Sequence, residues 1–253
     1  MTKLLQLELN EVNFDYVAAY GRQGKLPYLN ALIARHGLTQ TVSERDYDNL
    51  EPWIQWVTAH SGKTFAEHGV FRLGDICSRD DVVQIWETLE AQGVSVGAIS
   101  PMNAANRCTA PAFFVPDPWT QTRLVGSDLV ARLYEAIARL VGDNAQAAMT
   151  PAALLAIAQG LLRYGRASNY LEYCSSAVRG LTKSWSRAIV LDLLLSDLFI
   201  VEAARTRVAY ATLFLNAAAH IQHHYLFNAS VAQGAGRNPD WYLGRQHDPV
   251  YEV

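Results

Sequence analysis

Apolar residues recur at two spacings along this chain, and the two alternate through its first 115 residues. Leu4, Leu5, Leu7 and Leu9, broken by Gln6 and Glu8, read as a strand. Pro27 to His36 sets Leu29, Leu32 and Ile33 on one helical face, with Gly37 as the C-terminal cap. Leu38 to Ser43 reads as a short β-type segment. Pro52 to Ser61 reads as a helix with proline at its first position and Gly62 past its end. Asp80 or Asp81 caps a helix that carries Val82, Val83, Ile85, Trp86 and Leu89, and Gly93 ends it. Val94 to Ile99 is the next strand. This alternation predicts the α/β class, a parallel sheet flanked by helices.

The middle of the chain changes character. Ser127 caps a helix with Leu129, Leu133, Ile137 and Leu140 at helical spacing, and Thr150-Pro151 opens another through Leu162. Two more helical stretches follow, Ala167 to Leu181 and Trp185 to Ala204. These define a helical insert or cap over 120–204, between a first part of the core at 1–119 and its return at 205–253. The return begins with a strand, Val208 to Leu215, followed by a helical or loop stretch rich in histidine. Gly234 to Pro239 reads as a turn-rich segment, and Asp248 to Val253 as the first turn of a helix.

Half of the 253 residues are hydrophobic, enough for a sizeable core. A net charge of −3 with no basic block gives no support for nucleic-acid or polybasic membrane binding. Cys77, Cys108 and Cys174 are odd in number and widely spaced, which reads as a reduced cytoplasmic protein with buried cysteines. The longest apolar stretch, Ala188 to Ala204, is interrupted by Asp192, Asp197 and Glu202, so a buried helix is expected there rather than a membrane span.

Two asparagines stand where apolar strands run out. Asn10 follows Leu4 to Leu9, and Asn216 follows Val208 to Leu215, with His220, His223 and His224 close behind. In open α/β sheets ligands bind at the carboxyl ends of strands, which makes these positions a candidate site. A structural reading stands beside each. Asn10 also suits a cap on the first helix or turn, and the histidines suit a polar helix face. Glu51, just before Pro52, suits a solvated first turn.

Five segments in order resemble the alkaline phosphatase superfamily, in particular its type I phosphodiesterase and nucleotide pyrophosphatase-like branch. Leu9-Asn10-Glu11-Val12-Asn13 is similar to the first strand and metal loop. Pro52 to Gly62, then Glu67-His68-Gly69-Val70, is similar to the helix and His-Gly turn. Ile85 to Val94 is similar to the next helix-to-strand passage, and Ala112 to Pro118 to the loop before the insert. Phe214-Leu215-Asn216 with His220 resembles the strand-end Asp-x-x-x-His pair. The likeness covers 4–118 and 206–253 and implies an alkaline-phosphatase-like fold.

The departures from that pattern are chemical. Asn10 and Asn216 stand at both early Asp positions, and no Ser or Thr lies between Ser43 and Thr58, where the nucleophile belongs. Glu51 or Asn49 occupies the helix start instead, with Glu51 in the nucleophile's place. The later ligands of the family would lie beyond Val253. The resemblance implies a metal-dependent hydrolase-like protein acting on a small-molecule phosphate or related ester. Its divalent metal, zinc or manganese, would be held by Asn10, Asn216 and His220, with Glu11, His223 and His224 as helpers. Amide carbonyls bind cations without charge, so weak metal binding is expected. The alternative is a catalytically degenerate scaffold used for binding or assembly. An apolar sheet edge where a C-terminal half or a second copy would pair is also implied.

Overall fold

The computed structural model describes residues 4–142, 150–180, 182–183, 185–232 and 247–253. In chain order the elements are β1 (Leu4–Leu9), α1 (Phe14–Arg22), α2 (Pro27–His36), α3 (Pro52–Ser61), α4 (Phe65–His68) and α5 (Ile85–Ala91). Then come β2 (Val96–Ile99), β3 (Phe113–Val115), α6 (Asp128–Gly142), α7 (Pro151–Tyr164), α8 (Tyr170–Arg179) and α9 (Ser186–Thr206). The chain closes with β4 (Tyr210–Leu215), α10 (Ala217–Tyr225) and α11 (Pro249–Glu252). The α/β class read from the apolar spacing is what the structure has. Among the described residues no helix is long and apolar enough to cross a membrane.

The chain divides into two compact units. The first takes in residues up to Glu8, Ser43–Ser175 and Asp192–Leu215. Its sheet has the order β1-β4-β2-β3. β2 pairs in parallel with both neighbours, so that Ala98 faces Thr212 on one side and Phe114 on the other. Gln6 meets Tyr210 and Glu8 meets Thr212, an advance in step that makes β1 and β4 parallel too. β2 is buried throughout, as its unbroken Val-Gly-Ala-Ile run requires of an inner parallel strand. Trp86, Val96, Ala98, Phe114 and Tyr210 form one core cluster. A second joins Val57, Val70, Ile76, Val82 and Ala105. Gly97 is required on β2 because a Cβ there would stand 2.3 Å from the Phe113 ring. β1 is an edge strand whose Leu5 and Leu7 are exposed.

Between β3 and β4 the elements of the described chain are helical, from α6 through α9. Thr150 caps α7 by accepting from the Ala153 amide at 3.2 Å, as its place before Pro151 predicts. α7 lies close enough to α6 that a Cβ on Gly160 would meet Leu133 at 2.7 Å. Asp197 of α9 is buried and accepts from the Arg166 amide, the Asn169 side chain and the Tyr173 hydroxyl. That satisfies a carboxylate that would otherwise be costly inside.

The second unit comprises Leu9–Val42, Ser176–Leu191 and Asn216–Val253. α1 is capped by Asn13, which accepts from the Tyr16 amide. Asp248 caps α11 and accepts the Tyr20 hydroxyl at 2.8 and 2.9 Å. Burial and that carboxylate push the Tyr20 phenol well above its ordinary range. Trp185 donates its indole N–H to Glu252 at 2.9 Å and packs against Tyr225.

Three expectations are corrected. Leu38 to Ser43 forms no strand and is exposed, because it has no neighbour to complete a ladder. α5 begins at Ile85, not at Asp80 or Asp81. Buried Gln84 is held extended while its carbonyl oxygen accepts from the Ala105 amide, and Asp81 turns to Arg79 instead. Cys77 and Cys174 are exposed; only Cys108 is buried. Gly234 to Pro239 lies outside the described residues.

Candidate functional site

The residues that follow β1 and β4 meet. Asn10 Nδ2 donates to Asn216 Oδ1 at 2.9 Å across 206 positions of sequence. Asn10 is 3% exposed. Asn13, not Asn10, caps α1, and Asn10 itself lies in the turn that follows β1. Parallel pairing explains the meeting: β1 and β4 are neighbours in the sheet, so the residues just past their carboxyl ends emerge together.

Asn216 is also the first flanking residue of α10 and accepts the His220 amide on its backbone carbonyl at 3.1 Å. Asn216, His220 and His224 follow at intervals of four and therefore share one helix face. The His220 and His224 rings lie 5.3 Å apart, centroid to centroid. Partial desolvation, reinforced by His224 and His223, holds the His220 imidazole below its ordinary value. It is therefore neutral and a competent nitrogen donor at neutral pH.

His223 turns elsewhere. Its Nε2 meets the Glu11 carboxylate at 2.6 Å. Glu11 sits at φ 53, the left-handed region that a non-glycine residue adopts only when its surroundings hold it there. α10 does the holding: Gln222 donates to the Glu11 carbonyl at 2.6 Å while His223 takes the carboxylate. An open pocket of about 500 Å³ is lined by Glu11, Val12, Asn13, Gln222, His223, His224, Leu226 and Phe227.

The predicted residues thus sort into two groups within the second unit. Asn10, Asn216, His220 and His224 form one; Glu11 and His223 form the other. Glu51 belongs to the first unit, where it flanks the N-terminus of α3 without a side-chain capping bond. Among the described residues no group of three or more His, Cys, Asp or Glu stands together as a metal site. The Asn216 Oδ1 already accepts from Asn10, and the side chains of this group are neutral amides and imidazoles with no carboxylate among them.

Sequence reading missed a buried network in the first unit. Glu8, 2% exposed, meets His60 Nε2 at 3.1 Å and accepts the Thr212 hydroxyl at 2.7 Å. Burial works to raise the Glu8 carboxyl, but His60 and the hydrogen bonds from His60, Thr212 and Gln6 together hold it below its ordinary value. Trp86 and Trp56 close over the His60 ring at 4.9 and 5.8 Å. The available signal was the alternation of β1: Gln6 and Glu8 share a face, and a carboxylate on an inner face needs a partner. His68, by contrast, is a buried structural residue, bridging Thr58 and the Val70 amide.

No family model, curated protein or solved structure matches the chain.

Proposed function

We propose that this chain is a metal-dependent hydrolase-like protein of the alkaline-phosphatase type, acting on a phosphate or related ester. The observation that carries the reading is the Asn10–Asn216 hydrogen bond, which joins the two strand-end positions where that superfamily carries metal-binding carboxylates. Asn10, Asn216 and His220 would hold the cation, with His224 beside His220 on the same face. A bound divalent ion would supply Lewis acidity toward a phosphoryl oxygen. Neutral amides in place of carboxylates make the affinity modest. Manganese or zinc titrated calorimetrically into chelator-treated protein should bind stoichiometrically in wild type and fail to bind Asn10→Ala or His220→Ala. Absence of stoichiometric binding to the wild type would overturn the reading.

One observation favours a second reading, a degenerate scaffold that binds rather than hydrolyses. The Asn10 amide is engaged with Asn216 and the Glu11 carboxylate with His223, so the polar groups of the site bond to each other. The same titration separates the two, since a degenerate scaffold holds no stoichiometric metal.

A further inference from the structure

We propose that the cavity at the carboxyl ends of β2 and β3 binds an unbranched aliphatic chain that ends in a neutral oxygen, with the Ser100 hydroxyl donating to that oxygen. The site lies wholly within the first unit and is independent of the metal reading.

Ser100 is the first residue past β2 and is 8% exposed. Its φ of 59 lies in the left-handed region, which a non-glycine residue keeps only where its surroundings hold it. Its amide donates to the Val115 carbonyl at 2.7 Å, and Pro101 follows with its own φ locked by the ring. The backbone at Ser100 is thus anchored on both sides. The hydroxyl is not: it lines the cavity and has no hydrogen-bond partner among the described residues. A buried hydroxyl without a partner is costly. Held at a strained residue where a parallel strand runs out, it marks the place of a ligand's polar atom.

The walls set the rest of the ligand's chemistry. Leu133 and Ile137 come from α6, and Leu195 and Leu198 from α9. Among the described residues no Asp, Glu, Lys, Arg or His lines the cavity, so a charged head would stand there without a counter-ion. Tyr134 brings the other side-chain hydroxyl, and its proton goes to the Asp117 carbonyl at 3.2 Å. Ser100 therefore carries the uncommitted side-chain proton, and the head it suits is an accepting oxygen, as in a primary alcohol. The room inside is about 20 Å³, on the scale of one water molecule. A water needs about two to four polar partners, more than these walls supply. A methylene chain is narrow enough to follow such a slot as the ends of the leucines shift, and each CH₂ that leaves water adds to its affinity.

The test needs no metal. In chelator, methyl carbon-13 spectra of the full chain titrated with 1-hexanol should show saturable shifts at Leu133, Ile137, Leu195 and Leu198. From ethanol through 1-butanol to 1-hexanol the affinity should rise about fourfold per methylene. Hexanoate and hexylammonium should bind at least about tenfold more weakly than 1-hexanol. Ser100→Ala should weaken 1-hexanol about three- to tenfold without lowering the melting temperature, since the hydroxyl bonds to no other residue of the described fold. Leu195→Phe should fill the slot and abolish saturation, and Ile137→Phe makes the same test where the first variant does not fold. Shifts that never saturate or that scatter over the molecule, equal affinity for hexanoate, or wild-type affinity in Ser100→Ala would each overturn the proposal. Failure of the metal reading shows in the calorimetric titration instead, and leaves these readouts unaffected.

Discussion

Asn10 and Asn216 hydrogen-bond side chain to side chain at 2.9 Å although 206 positions separate them. Two amides can satisfy one another in this way; two carboxylates cannot. The double variant Asn10→Asp, Asn216→Asp therefore places like charges at contact. Its stability at pH 7 should fall by about 2–4 kcal/mol, the scale of unit charges near 4 Å in a partly screened environment. Millimolar manganese should restore the loss. Melting curves with and without the cation measure both effects, and a double variant indifferent to manganese would remove this position from any metal chemistry.

The buried Glu8–His60 pair makes a pH-dependent prediction. Glu8 titrates below its ordinary 4.5 in the folded protein. A depressed carboxyl contributes stability that is present above the unfolded value and lost as pH falls through the folded one. Stability should thus decline below about pH 4.5, and Glu8→Gln should flatten that limb. Glu8→Ala should cost about 3–5 kcal/mol at neutral pH, since it strands the His60 and Thr212 partners. Denaturant midpoints from pH 3 to 7 settle both.

Packing on β2 leaves no room for a methyl group at residue 97. Gly97→Ala should destabilise by about 1–3 kcal/mol, because the new Cβ would overlap the Phe113 ring. Phe113→Leu in the same background should recover part of the loss. Additive losses in the double variant would show that the strand moves rather than the ring.

Much of this architecture was legible because it is written in local spacing. Pro52 and Gly62 bracket α3, Thr150 opens α7, and the apolar runs ending at Leu9 and Leu215 are adjacent parallel strands. The meeting of Asn10 and Asn216 followed from their strand-end positions alone. What was not legible depended on distant partners. The start of α5 was set by Gln84 reaching the Ala105 amide, a bond 21 residues long in sequence that no cap signal encodes. The buried role of Glu8 required His60 and Thr212, and the turn of His223 toward Glu11 required the left-handed backbone at residue 11. Helical spacing did separate the histidines correctly: His224 shares the face of His220, and His223 does not.

That separation yields the last prediction. His220 is held below its ordinary value by desolvation and by its neighbours. A histidine depressed in the folded state stays neutral while the unfolded chain takes up a proton, so stability falls as pH drops below about 6.5 toward the folded value. His220→Gln should remove that slope. For metal binding the sign runs the same way, because ligation needs the neutral ring. Affinity for manganese or zinc should persist somewhat below pH 6.5 before falling, whereas ligation by an unperturbed histidine would weaken from that point. His220→Gln should abolish it and His224→Gln should weaken it about tenfold, the loss of a neighbour on one face. His223→Gln should leave it nearly unchanged, since that ring faces Glu11. Calorimetric titration of the four proteins at pH 5.5 and 7.5 gives the order directly. Equal affinities across the four would assign all three histidines to the polar face of α10.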